Sequence, residues 1–110
     1  MAIELRYYQT AAGEQPFVEW LRGLKDRQAR TRIEARIARV AVGNFGDAGP
    51  VGEGVLELRI DWGPGYRVYY GMVGKACVLL LCGGDKRRQS SDIKRAIDYL
   101  KDFKERTRGK

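Results

Sequence analysis

Val55-Leu56-Glu57-Leu58-Arg59-Ile60, the turn Gly63-Pro64-Gly65, and Tyr66-Arg67-Val68-Tyr69-Tyr70-Gly71-Met72 form the stretch from which the fold can be read. In the first run Leu56, Leu58 and Ile60 alternate with Glu57 and Arg59; in the second Val68, Tyr70 and Met72 alternate with Arg67 and Tyr69. That period of two predicts paired strands. Matching the apolar sets pairs Leu58 with Val68 and Leu56 with Tyr70, which sets Arg59 opposite Arg67 on the face away from the core. Like charges directly across a sheet repel. At roughly 6 Å and an effective dielectric near 20 the repulsion is about 2 to 3 kcal/mol, an upper bound because arginine tips can splay. Either Glu57 offsets it internally or a bound anion does.

Downstream, Val73-Gly74-Lys75-Ala76 turns the chain into Cys77-Val78-Leu79-Leu80-Leu81-Cys82, apolar on both faces and therefore expected as a covered central strand ended by Gly83-Gly84. The separation of five predicts that Cys77 and Cys82 point to opposite faces, as buried thiols that do not pair. Ser90 or Ser91 is expected to cap a last helix with Ile93, Ala96, Ile97, Leu100 and Phe103 inward, and the basic tail after about residue 104 to fray. Upstream, the five glycines and Pro50 of residues 43–54 predict a loop. Ile3, Leu5 and Tyr7 alternate as a strand. Pro16 opens a helix with Phe17, Trp20, Leu21 and Leu24 on one side, which Gly23 should end, and Asp26 caps a second with Ala29, Ile33, Ile37, Val40 and Ala41 inward. The expectation is one α+β domain over residues 1–110: N-terminal strand, helical hairpin, three-stranded antiparallel meander and C-terminal helix.

The net charge of +7 is unevenly spread. Residues 22–39 carry +5 and residues 86–110 carry +6, while segments 1–21 and 40–85 are each −2. Such clustering is the footprint of a partner rich in phosphate or carboxylate. With no histidine, Ser-His-Asp, Cys-His and His-His chemistries are excluded, and two cysteines alone make a zinc site implausible. No metal or cofactor is expected. No apolar run reaches the ~18 residues of a membrane span, and the first residues do not read as a signal peptide, so the expected address is the cytoplasm.

The last strand delivers Asp85-Lys86-Arg87-Arg88-Gln89 to one end of the sheet, with Lys94 about a turn into the helix that follows. Beside Arg59 and Arg67 these cations would suit a polyphosphate backbone, since arginine forks bind phosphate bidentately and stabilise charge developing on a phosphorane. Basic sheets also bind RNA without cutting it. Tyr69, sharing the arginine face, is the better candidate for stacking a base, and Arg36 on the second helix is a candidate RNA contact. Gly83-Gly84 lacks the Lys-Ser/Thr that a Walker phosphate loop requires.

Gly52 to Arg59, Gly63 to Tyr70 and Leu80 to Lys86, followed by Gln89, Asp92-Ile93 and Ala96, resemble the addiction-module killer proteins of the RelE/ParE toxin superfamily, of the phage-derived, HigB-like kind. The resemblance runs from Glu4 to about Phe103. It implies a type II toxin held inactive by a cognate antitoxin, a small helix-turn-helix protein. RelE-type and HigB-type members cleave mRNA on the ribosome, whereas ParE-type members poison DNA gyrase without cutting; a third possibility is an inactive toxin that acts only in antitoxin-bound autoregulation. By this resemblance Arg59 and Arg67 fall where RelE-type toxins keep catalytic arginines, and Lys86, with Arg87 as a substitute, where a further base follows the last strand. Together with Lys94, a lysine that could exchange protons in a cluster of cations, they are the candidate catalytic residues of a metal-independent endoribonuclease, and Tyr69, Arg87, Arg88, Gln89 and Arg36 are the candidate RNA contacts. The tyrosine that some ribosome-dependent members carry after the last strand is replaced near Lys94, a departure that bears on proton transfer.

Overall fold

The computed structural model describes residues 2–108. Its elements follow in the order β1 (Glu4–Tyr7), α1 (Pro16–Gly23), α2 (Arg27–Ala41), β2 (Ala48–Gly52), β3 (Val55–Ile60), β4 (Tyr66–Val73), β5 (Cys77–Asp85), a single 3-10 turn (Lys86–Arg88) and α3 (Gln89–Thr107). The strands make one five-stranded mixed sheet in the order β1-β5-β4-β3-β2, with β1 parallel to β5 and every other pair antiparallel. The expected meander is therefore the middle of a larger sheet.

The β3–β4 register is the one the alternation dictates, Leu58 opposite Val68, Leu56 opposite Tyr70 and Arg59 opposite Arg67. Helices α1 and α2 cover one face, where Phe17, Ile33, Ile37 and Val40 pack with Leu58, Ile60, Val68, Tyr70, Val78 and Leu80. Asp26 caps α2 as its position predicts, accepting from the backbone N–H of Gln28 (2.9 Å) and Ala29 (3.2 Å).

Several expectations are corrected. Residues 48–52 are not loop but the edge strand β2, where Pro50 costs no ladder bond; Glu53 (φ 49°) and Gly54 (φ 87°) make the positive-φ turn of the β2–β3 hairpin, so glycine richness marked a hairpin. The face bearing Arg59, Arg67 and Tyr69 is not free: α3 covers much of it, and Val55, Tyr69, Leu79, Leu81, Cys82, Ala96 and Leu100 form a second core. Tyr69 is fully buried there (0% exposed), which removes it as a base-stacking residue. Met72, at the far end of the first face, is 37% exposed.

Strand β5 pairs Tyr69 with Cys82 but Tyr70 with Leu80, so Leu81 is a bulged extra residue. The bulge resets the alternation and brings Cys82 to the same side as Leu79 and Leu81, so the opposite-face prediction for the cysteines fails. Both thiols are free and buried, and burial pushes the Cys82 thiol up to about 12, with Asp92 adding to the shift. Nor do Gly83 and Gly84 end the strand, which runs on to Asp85. Asp85, not a serine, caps the turn into α3 by accepting from the Arg87 N–H (2.9 Å). The basic tail continues as helix to Thr107, beyond the point where fraying was expected; residues 109 and 110 lie outside the described residues.

Candidate functional site

Glu57, Arg59, Arg67 and Tyr69 leave the sheet on the α3 side, because β3 and β4 pair Glu57 with Tyr69 and Arg59 with Arg67. The first turn of α3 lies over the Glu57–Tyr69 layer: Gln89 Nε2 donates to Glu57 Oε1 at 3.0 Å. Strand β5 allows this approach by having no side chains at two positions. A Cβ built on Gly84 would lie 1.9 Å from Asp92 Oδ2, and one on Gly83 would lie 2.2 Å from the Trp20 ring on the opposite face. The glycines thus serve close packing on both sides of the strand.

Glu57 is the hub. Its side chain is 4% exposed, and its Oε2 accepts from Arg59 Nε at 2.9 Å while its Oε1 stands 3.8 Å from Arg67 Nε. The cross-strand repulsion expected from Arg59 and Arg67 is therefore offset by an internal carboxylate, which a sheet interior tolerates only when it is paired. Arg59 also donates to Asp47 Oδ1 at 2.9 Å; the bond to exposed Asp47, followed by the charge and hydrogen bond of Glu57, holds its guanidinium above the ordinary arginine range. Arg67 Nη1 donates to Tyr66 O at 3.0 Å. Among the described residues Arg67 Nε and the Tyr69 hydroxyl are buried without a hydrogen-bond partner, and burial drives the Tyr69 phenol well above its ordinary value, with Glu57 and Asp92 adding to the shift.

Lys86 arrives at the same end of the sheet. Its N–H donates to Gly65 O at 2.9 Å, and a Cβ on Gly65 would meet Lys86 Cε at 3.3 Å and Arg67 Nη1 at 3.6 Å, so the two cations flank one glycine. Arg59, Arg67 and Lys86 exceed by one positive charge the two carboxylates that pair with the arginines, buried Glu57 and exposed Asp47. That excess can hold a phosphodiester and holds a doubly charged phosphorane better.

The remaining candidates lie elsewhere. Arg87 is exposed and paired with Asp85 at 2.9 Å, and Arg88 is exposed beside it. Gln89 is an internal brace to Glu57 and is not free for RNA. Lys94 is exposed, and it sits two positions from the buried Asp92 and Ala96, about 200° around the helix, on the outer face. The structure does not bring it to the arginine pair. Arg36 is no RNA contact: it is 8% exposed, and its guanidinium donates to the backbone carbonyls of Phe45 (2.6 Å), Asp47 (2.8 Å) and Arg59 (3.1 Å). A signal for this was present, since Arg36 falls three residues after Ile33 and four before Val40, on the inward stripe of α2.

One further feature bears on partners. A groove of about 710 Å³ lies among β1, α1 and α2, with a floor that includes Leu5, Tyr7, Phe17 and Leu21 and with Arg22, Arg27 and Arg30 in its lining. Among the described residues no helix is long and apolar enough to cross a membrane, and no group of three or more metal-ligating side chains comes together.

The chain is 52% identical over 80 residues to a protein of Haemophilus influenzae (strain ATCC 51907 / DSM 11121 / KW20 / Rd) that is described as an uncharacterized protein, an alignment covering 73% of this chain and 81% of that one. The two belong to one family. No family model matches the chain.

Proposed function

We propose that this protein is the toxin of a type II toxin–antitoxin pair, with a RelE-like topology, and that it inhibits translation in the cytoplasm by cleaving mRNA on the ribosome. The observation that carries this reading is that Arg59 and Arg67 stand opposite each other on β3 and β4, with Lys86 and Arg67 flanking Gly65. A helical hairpin on one face of the sheet and a C-terminal helix on the other support the topology.

In this reading the RNA supplies its own nucleophile, a 2′-hydroxyl that loses its proton to water and attacks the adjacent phosphorus, breaking the bond to the 5′-oxygen and leaving a 2′,3′-cyclic phosphate. The ribosome aligns the hydroxyl, which suits a protein with no histidine to act as a strong base. Arg59 and Arg67 take the non-bridging oxygens, whose charge grows in the phosphorane, and the exposed ammonium of Lys86 gives its proton to the departing 5′-oxygen. The acidic, amphipathic segment of an antitoxin would fit the groove between β1 and the helical hairpin, apolar against its floor and anionic against Arg22, Arg27 and Arg30.

The test is single-turnover cleavage of ribosome-bound mRNA by wild type and Arg67→Ala, with a thermal melt of each. Arg67→Ala is expected to lose about 10²-fold or more in rate, the effect of deleting a preorganised donor to a developing oxyanion, while remaining folded. A folded variant that cuts at the wild-type rate removes the arginine pair from the chemistry. A wild type that cuts nothing while blocking gyrase supports the non-enzymatic reading instead.

A further inference from the structure

We infer that Glu57 is the positioning residue of this site, orienting both arginines so that their outer guanidinium edges face a phosphate while their Nε edges are held from inside. The inference rests on the proposed cleavage reading and deepens it. A guanidinium has more donors than one acceptor can take, so the edge left open depends on which edge is held. Glu57 faces the Nε of Arg59 at 2.9 Å and the Nε of Arg67 at 3.8 Å. The Nη1 groups have other partners: that of Arg59 reaches Asp47, whose side chain is 68% exposed, and that of Arg67, whose side chain is 13% exposed, reaches the Tyr66 carbonyl and lies close to the Gly65–Lys86 end.

The two carboxylates on Arg59 therefore differ in kind. Asp47 sits in solvent on the outer edge, where an incoming phosphate can displace it at little cost. Glu57 is 4% exposed and shared with Arg67, and it is braced by Gln89, so it stays. The Gln89 contact also ties the seating of α3 to the direction of the arginines, since a carboxylate tethered at one oxygen keeps the other fixed on Arg59. Arg67 is held less closely than Arg59: its buried Nε lies in ion-pair range of Glu57 but is not hydrogen-bonded, so a movement under 1 Å closes that contact when a phosphate loads the outer edge.

Positioning and simple charge neutralisation make opposite predictions for Glu57→Gln. Removing a negative charge makes the site more cationic, which by itself would bind RNA tighter and cut at least as fast. Misdirected guanidinium groups slow the chemical step, and a displacement near 1 Å costs about 10²-fold.

The experiment is kinetic and spectroscopic, on the full chain. Glu57→Gln is expected to lower kcat for ribosome-bound mRNA by about tenfold to a hundredfold with KM unchanged or lower, and Glu57→Asp, which keeps the carboxylate, to recover part of the loss. In wild type the Arg59 Nε–H resonance should exchange slowly with water, and in Glu57→Gln it should exchange as fast as that of Arg39 on the surface of α2. A folded Glu57→Gln with wild-type kcat overturns the inference. So does fast exchange of the Arg59 Nε–H in wild type, a measurement that needs no variant to fold. Loss of cleavage in wild type itself would break the cleavage reading, while the exchange measurement still decides whether Glu57 holds Arg59.

Discussion

Two buried ions hold Arg59 from opposite faces of the sheet, and they do so with different partners. Under α2, Arg36 spends its guanidinium on three backbone carbonyls, including that of Arg59. Under α3, Glu57 spends its carboxylate on side chains: Arg59, Arg67 and Gln89. Carbonyls of β3 and of the segment leading into β2 cannot leave without unfolding that edge, so Arg36 is a clamp. Guanidinium groups pinned at one edge keep another edge available, so Glu57 organises groups that can still meet a ligand. Burial of a charge alone does not separate structural from functional roles; the nature of its partner does.

The largest effect that would sharpen this contrast is Arg36→Ala. It takes the guanidinium donor from the carbonyls of Phe45, Asp47 and Arg59, of which Asp47 keeps the Arg59 backbone N–H at 2.9 Å, and each acceptor left unsatisfied costs about 1 to 3 kcal/mol. A loss of about 3 kcal/mol is expected, read as a lowered melting temperature and a reduced urea midpoint. If Arg36→Ala melts with wild type, the clamp is not structural and α2 recovers its claim to a binding role.

Gly84→Ala should come next, at about 2 kcal/mol, within the range for overpacking a filled site. The new methyl would collide with the Asp92 carboxylate, 1.9 Å away before relaxation, and would lift the first turn of α3 from the sheet. Because that turn carries Gln89, the substitution should also disturb Glu57. Stability measured by denaturant and the exchange rate of the Arg59 Nε–H should therefore fall and rise together. A variant that loses stability with that exchange unchanged would separate the seating of α3 from the arginines.

How far these arrangements were legible in the sequence follows from which rule governs each. Strict alternation holds through β3 and the start of β4, so the Arg59–Arg67 opposition could be read directly, as could the Asp26 cap. Alternation breaks at the Leu81 bulge, and with it the placement of Cys82. The β2 strand was hidden because a hairpin with positive φ at Glu53 and Gly54 draws on the same residue types as a loop. Tyr69 was misplaced for another reason: a polar-looking strand face gives no local sign that a helix far along the chain will cover it. The amphipathic pattern of α3 did require a surface to bury Ala96 and Leu100, and the Tyr69 face was the one left. As for Glu57, its position on the arginine face was readable, but its two-sided grip depends on side-chain geometry that spacing does not set.

The smallest expected effect concerns Asp92, the other buried carboxylate of the α3 face, which is 3% exposed. Burial raises its pKa from the ordinary carboxylate range, and Asp85 acts in the same direction; Arg95, at 3.5 Å, and Arg88 oppose the shift without cancelling it. A raised folded-state value means the protonated form is the one the fold prefers. The stability this contributes is fully present below the ordinary carboxylate pKa and is lost as pH rises through the raised value. Asp92→Asn removes the titration, so wild type and variant should differ least near pH 4, and the variant should gain on wild type toward pH 7. The gain should be about 1 kcal/mol, the common size of a point-substitution effect. Melting curves of both proteins across that interval give the sign. If the variant instead loses ground as pH rises, the ionised Asp92–Arg95 pair stabilises the seat of α3. The two carboxylates of this face would then both work as ions, and the contrast with Arg36 would lie in their partners alone.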